Sequence, residues 1–392
     1  MSLPLLCLSR AGTCVAAMAY AGALPFLRQA WNMDAATAGS VQAVYNVGVA
    51  VSLLVGSWLA DRVGAKRVFL ASSWAAILAY GAFAAFARSH DSALWLMALV
   101  AVTQGGAYTP ALMLVAELVP SARRGIAMGA LLAAGSFGYL LSVLGALGGA
   151  ALVDYRFGFA LCAAGPMVGA VAGTLALKGR PNLIHCRHGG GPGLRAVLLT
   201  RVSLLLTLGY IAHTWELLGL WGWLPAFLAA NLGGLGLGPL ATGLAVASAV
   251  HLAGITATLS MGLASDRLGR RTVLVGAAVA SGALSALLGW SQTLPAPAIL
   301  LLAFAVSFAA YGDSGVLSTA LTESVPARHL GTVLALRSIL GFGAGAVSPV
   351  AFGIVLDLGG GWGWAFTTLA AGGIVATVAA LALPRTESAS GP

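Results

Sequence analysis

Long apolar runs broken by short polar interruptions set the pattern of this chain. The stretches 37–60, 68–87, 93–116, 157–177, 272–290 and 363–383 each hold about 20 or more residues with almost no charge. That is the length an α-helix needs to cross a hydrocarbon core about 30 Å thick. A transmembrane barrel would instead show alternating segments of about ten residues, and that pattern is absent. Twelve helical spans are predicted, over 4–27, 37–60, 68–87, 93–117, 125–150, 157–177, 201–229, 239–264, 272–291, 296–322, 331–356 and 363–383. The expectation is therefore an all-α integral membrane protein.

The connections are short except for 178–200, KGRPNLIHCRHGGGPGLRAVLLT, rich in Gly, Pro and basic residues. It reads as a linker between two halves, giving bundles of six helices at 1–177 and 201–392. The first 23 residues also resemble a signal peptide, with an apolar stretch and an Ala-x-Ala end. No positive charge precedes that stretch and Arg10 interrupts it, so 4–27 is read as the first span.

Composition agrees with the pattern. The chain is 59% hydrophobic and 8% charged, where soluble domains have roughly 25% charged residues. The net charge of +9 could suggest nucleic acid, but the cations lie in short loops rather than on one patch. Alternating the loops puts fifteen Lys and Arg on one side and three (Arg28, Arg88, Arg156) on the other. By the positive-inside rule both termini and the linker are cytoplasmic, as expected in a bacterial inner membrane.

The four cysteines show no metal-ligand spacing, and the segment His185-Cys186-Arg187-His188 is read as a loop coincidence. No cofactor or metal is expected. There is no GxxxxGK[ST] loop for ATP drive, and no nucleophile–base or HExxH constellation for a membrane enzyme.

The chain repeats itself. Asp61-Arg62-x-Gly64 matches Asp266-Arg267-x-Gly269 at an offset of 205. ELVPSARRG at 117–125 matches ESVPARHLG at 323–331, sharing Glu117/Glu323, Pro120/Pro326 and Gly125/Gly331 at an offset of 206. A looser third pair sets Asp154 before Phe157-Gly158-Phe159 against Asp357 before Gly363-Trp364-Ala365-Phe366. Two ordered motifs at nearly one offset indicate two homologous halves. With six spans each, the halves run parallel, related by an axis along the membrane normal.

On these residues the chain resembles the major facilitator superfamily of secondary transporters. The family's loop G-x-L-a-D-R-x-G-R-R/K appears as SWLADRVGAKR at 57–67 and, closer to pattern, as GLASDRLGRR at 262–271. Ser57 stands where Gly is usual. Two departures weaken a reading as a typical multidrug:proton antiporter. Ala101 replaces the Arg that some proton-linked members carry before Gln104-Gly105, and the fifth span contains no Pro.

The resemblance implies that Asp61 caps the start of span 11 and Asp266 the start of span 5. A cytoplasmic gate of charge pairs follows from it. Its candidate members are Asp61, Arg62, Gly64, Arg67, Glu117, Arg123, Asp266, Arg267, Gly269, Arg270, Glu323 and Arg328. The plainer reading is that these residues only set topology. The resemblance also implies that spans 1, 4, 7 and 10 line the cavity while 3, 6, 9 and 12 face lipid. The latter four contain no Asp, Glu, Lys, Arg or His.

Ionisable groups at membrane depth cost roughly 2.5–3.5 kcal/mol on insertion scales and are functional candidates by default. They are Arg10, His213, Glu216, His251, Asp313 and Arg337. Gln42, Tyr45, Asn46, Gln104 and Tyr108 are neutral hydrogen-bonding candidates in the first half, and Trp215 joins the second. Glu216 or Asp313 could carry a coupling proton, because burial disfavours a charged carboxylate, and His213 or His251 could relay it. Against this, Asp313 could pair with Arg337, Glu216 could be a packing partner of His213, and Arg10 could snorkel or bind an anionic substrate.

The leading expectation is secondary transport of a small solute by alternating access, with protons as coupling ion, by a monomer in the lipid bilayer. The alternatives are an efflux pump for amphipathic or drug-like compounds and a transporter-like sensor without flux.

Overall fold

The structure, a computed structural model, describes residues 2–33, 35–184, 193–232, 236 and 239–384. The His185–His188 segment lies outside the described residues. Every predicted span is helical, and no strand occurs among the described residues.

The first span is broken. Helix α1 (Leu3–Val15) ends on a tightened turn in which the Ala17 amide donates to the Cys14 carbonyl at 3.1 Å, and α2 (Ala19–Ala30) resumes after it. Helices α3 (Ala35–Val63), α4 (Ala65–Phe86), α5 (His90–Leu118), α6 (Arg124–Leu152) and α7 (Tyr155–Ala176) complete the first six spans. A short helix α8 (Leu194–Leu198) lies in the linker. The second six are α9 (Arg201–Leu232), α10 (Pro239–Leu268), α11 (Arg270–Gly289), α12 (Ala296–Ser324), α13 (Ala327–Val355) and α14 (Gly361–Leu381).

Eleven stretches among the described residues are apolar and long enough to cross a membrane. Helix α9 is not one of these, though its 32 residues span about 48 Å at 1.5 Å per residue. The run His213-Thr214-Trp215-Glu216 at its centre explains the difference: α9 gives up hydropathy to carry polar chemistry.

Local sequence explains several boundaries. Gly64 (φ 94°) and Gly269 (φ 86°) adopt the left-handed backbone that ends α3 and α10, as the duplicated motif requires. Asp154 caps α7 by accepting from the Phe157 amide at 2.8 Å. Small residues set the close crossings, as in membrane bundles generally. Gly12 on α1 faces Gly165 and Gly169 on α7, where a Cβ would meet the partner backbone at 2.5–2.8 Å.

The chain divides into two compact units, each taking in a segment from the other end of the sequence. The first comprises Met1–Leu118, Ala134–His188 and Leu330–Ile339; the second comprises Val119–Ala133, Gly189–His329 and Leu340–Pro392. The core of the first gathers Tyr20, Tyr80, Phe83 and Phe159, and that of the second Leu224, Phe227, Phe352 and Phe366. Helix α1 packs on α7, and α3 and α4 on α5; in the second unit α10 packs on α12, and α9 and α11 on α14.

Candidate functional site

The titratable groups of the second unit assemble around α9. His213 Nδ1 lies 2.6 Å from Asp313 Oδ1 of α12, a close acid–base contact whose two atoms are not aligned as a hydrogen bond, and the Tyr210 ring sits 5.8 Å from the imidazole. Three residues along α9, Glu216 accepts from the Ser285 hydroxyl of α11 at 2.6 Å. Trp215 donates from Nε1 to the Thr368 carbonyl of α14 at 2.9 Å. His213, Glu216 and Asp313 are all buried.

Asp313 lies against His213, and Glu216 accepts from Ser285 with His213 one turn away on the same helix. Neither acid is held by a Lys or Arg among the described residues. His251 on α10 and Arg337 on α13 are buried as well. A small cavity of about 10 Å³ lies against Asp313, walled by Gly209, Leu274, Leu317 and Ala376 among others. That is about the least volume that holds one water.

Sequence reasoning missed Ser285. The spans expected at lipid, 9 and 12, supply the groups that fix Glu216 and Trp215. Ser281 and Ser285, one helical turn apart on an otherwise apolar span, carried the signal.

The first unit holds a different cluster. Arg10 does not snorkel: it is only 6% exposed, with its guanidinium carbon 4.8 Å from the Tyr108 ring centre. Cys14, Tyr45 and Tyr139 stand within electrostatic reach of it. Gln104 donates from Nε2 to the Thr13 carbonyl at 3.4 Å. Of the other expected residues, Gln42 donates from Nε2 to Asn46 Oδ1 at 3.1 Å, with Asn46 exposed.

At the duplicated motif the geometry is close to symmetric. Asp61 accepts from the amides of Gly331 (2.9 Å) and Thr332 (2.7 Å) and from the Thr332 hydroxyl (2.6 Å). Asp266 accepts from the amides of Gly125 (3.0 Å) and Ile126 (2.8 Å). Each carboxylate thus takes two consecutive amides near a helix N-terminus, in the first turn of α6 for Asp266 and just past the first turn of α13 for Asp61. Glycine is needed at both positions, since a Cβ on Gly331 would lie 2.7 Å from the Ser57 carbonyl, and one on Gly125 2.7 Å from the Gly262 carbonyl.

The cations differ between copies. Arg270 binds Asp266 at 2.5 Å and grips Glu323 with two bonds at 2.9 and 3.2 Å. Ala65 occupies the place equivalent to Arg270 in the first copy. Arg62 instead lies over the Trp58 ring at 3.9 Å, and the Arg67 amide donates to Asn182 at 3.2 Å. Arg123 and Arg267 are exposed, while Glu117 and Arg328 are partly buried.

A helical bundle of this length, with acids and bases buried at the middle of its spans, defines an integral membrane transporter. The chain belongs to the Major Facilitator Superfamily, whose family model matches residues 6–249 and again 206–392. It is a secondary transporter. A protein of Cupriavidus pinatubonensis named "Probable 4-methylmuconolactone transporter" is 25% identical over 347 residues, covering 85% of this chain and 78% of that one. Among solved structures the fold is similar to that of the proton:xylose symporter XylE bound to 6-bromo-6-deoxy-D-glucose. That match has a TM-score of 0.79 at 16% identity and covers 96% and 94% of the two chains. It is similar also to the E. coli fucose:proton symporter FucP, with a TM-score of 0.75 at 16% identity, covering 97% of each.

Proposed function

We propose that the protein moves a small organic solute across a bacterial inner membrane by alternating access, coupled to protons. The observation that carries this reading is the buried His213–Asp313 pair at 2.6 Å. A carboxylate whose partner is itself titratable can exchange a proton without leaving an uncompensated permanent charge in the membrane. The cavity against Asp313 offers room for a single water to deliver it. Glu216, held by a serine hydroxyl, is a second acid able to bind a proton. His251 is the further candidate relay.

In this account the chain works as two six-helix halves, 1–177 and 201–392, joined by the cytoplasmic linker 178–200, with both termini inside and a single copy as the working unit. The duplicated motif and the fifteen-to-three division of basic loop residues support that layout. Docking of Asp61 on Gly331 and Thr332, and of Asp266 on Gly125 and Ile126, shuts the cytoplasmic side. Release of both opens it. The Cupriavidus relative, named for a lactone, supports a small organic solute as cargo.

The test uses purified protein in liposomes loaded with a pH-sensitive dye. Adding a transported solute changes the internal pH relative to protein-free liposomes, and Asp313→Asn removes the change. Solute flux indifferent to a pH gradient would contradict the coupling.

A further inference from the structure

We propose that Arg10 anchors a carboxylate-binding site in the first unit, and that the solute carried by this transporter is a small organic carboxylate. The inference deepens the transporter reading by naming its substrate class. It rests on that reading only for the site's use in transport.

Arg10 is 94% buried, being 6% exposed, and its Nε and Nη1 atoms have no hydrogen-bond partner. An arginine stays protonated at any physiological pH. A buried guanidinium with unmet donors is a costly arrangement, and proteins ordinarily balance it with an acid. Here the ionisable groups within reach are Cys14, Tyr45, Tyr108 and Tyr139. All four side-chain types are uncharged near neutral pH. Tyr108 offers only its ring face, 4.8 Å away, a partial compensation that leaves the N–H groups unused. The charge is therefore waiting for an anion that the described residues do not supply.

A glycine stands beside the donors. Gly135 of α6 stands against the guanidinium, and a Cβ there would lie 3.4 Å from Nε and 3.6 Å from the Cys14 sulfur. A Cβ there makes only ordinary contact, so a larger side chain is needed to cover this flank of Arg10. The planar fork matches a carboxylate, and the surrounding phenol rings suit an unsaturated or aromatic body attached to it. A single cation ringed by phenols suits a monoanion better than a phosphate, which calls for more charge and more donors.

The experiment measures binding to the full-length protein in nanodiscs, by calorimetry and thermal unfolding, with no ion gradient. The probes are benzoate, its neutral match benzamide, benzylamine and inorganic phosphate. Benzoate alone is expected to bind and to raise the unfolding temperature. Arg10→Met is expected to abolish binding, and Arg10→Lys to weaken it about ten-fold, since it keeps the charge but loses the fork. Gly135→Val, which fills the flank and leaves the charge in place, is expected to abolish binding, and it decides the question if Arg10→Met does not fold. Absence of benzoate binding overturns the proposal. So does equal binding of benzamide, benzylamine or phosphate, or wild-type affinity in Arg10→Lys or Gly135→Val. Because no gradient is used, retained benzoate binding alongside pH-indifferent flux would sink the proton coupling and leave this site standing.

Discussion

His213 of α9 and Asp313 of α12 meet at 2.6 Å with side chains 2% and 9% exposed, an acid–base pair sealed inside the second unit. A buried pair of this kind is commonly no more stabilising than an apolar one, so stability alone does not account for it. Asp313→Asn is expected to abolish accumulation driven by a pH gradient while leaving solute exchange at equal pH within about three-fold of wild type. His213→Gln should lower driven uptake in the same way. Flux through Asp313→Asn should lose its dependence on pH, measured as initial uptake rate against the imposed gradient.

Glu216 is a different case, because its oxygen is already bonded by Ser285 at 2.6 Å. Ser285→Ala leaves a buried carboxyl short of a partner and is expected to cost about 1–3 kcal/mol of stability. Thermal unfolding of Ser285→Ala, Glu216→Gln and the double variant checks this. The two changes should be strongly non-additive.

Asp61→Asn keeps the shape of the side chain but removes the charge that binds Gly331 and Thr332. Charge-assisted hydrogen bonds are worth about 1.5–3 kcal/mol each, enough to move a two-state population ten-fold or more. Distances between spin labels on the cytoplasmic ends of α3 and α13 should shift toward the longer population. Gly331→Ala should do the same by sterics, since the added Cβ meets the Asp61 carboxylate and the Ser57 carbonyl. An unchanged distribution in both variants would remove the gate from the account.

The two copies should respond unequally. Arg270 clamps Asp266 to Glu323, and the first copy carries Ala65 at the position of Arg270. Glu323→Gln is expected to have a small effect, under about 1 kcal/mol, because that pair is partly exposed to solvent. Arg270→Ala should act more strongly by freeing Asp266 as well. The same label distances, taken between α6 and α10, rank the two.

Much of the fold was legible because membrane helices are written as long apolar runs, and the repeat because its motif carries charge where charge is scarce. Gly64 and Gly269 took the left-handed conformations that their place in the motif requires. Asp61 meets amides near the N-terminus of α13 and Asp266 those in the first turn of α6. The break at residues 16–18 was not legible, since Thr13-Cys14-Val15-Ala16-Ala17 contains neither Gly nor Pro. Partner choice inside the second unit was not legible either. His213 and Glu216 share a helical face, yet tertiary packing hands one to α12 and the other to α11. The neighbours of Arg10, Gly135 and Tyr108, are distant in sequence and give no periodic signal.

The central claim is proton-coupled solute transport through Asp313. Its most direct measurement is internal pH in proteoliposomes, read as solute is added to wild type and to Asp313→Asn side by side. The account predicts a solute-dependent pH change in wild type, none in the variant, and solute exchange at equal pH in both. An equal pH change in the two, or solute flux in wild type with no proton movement, would contradict it.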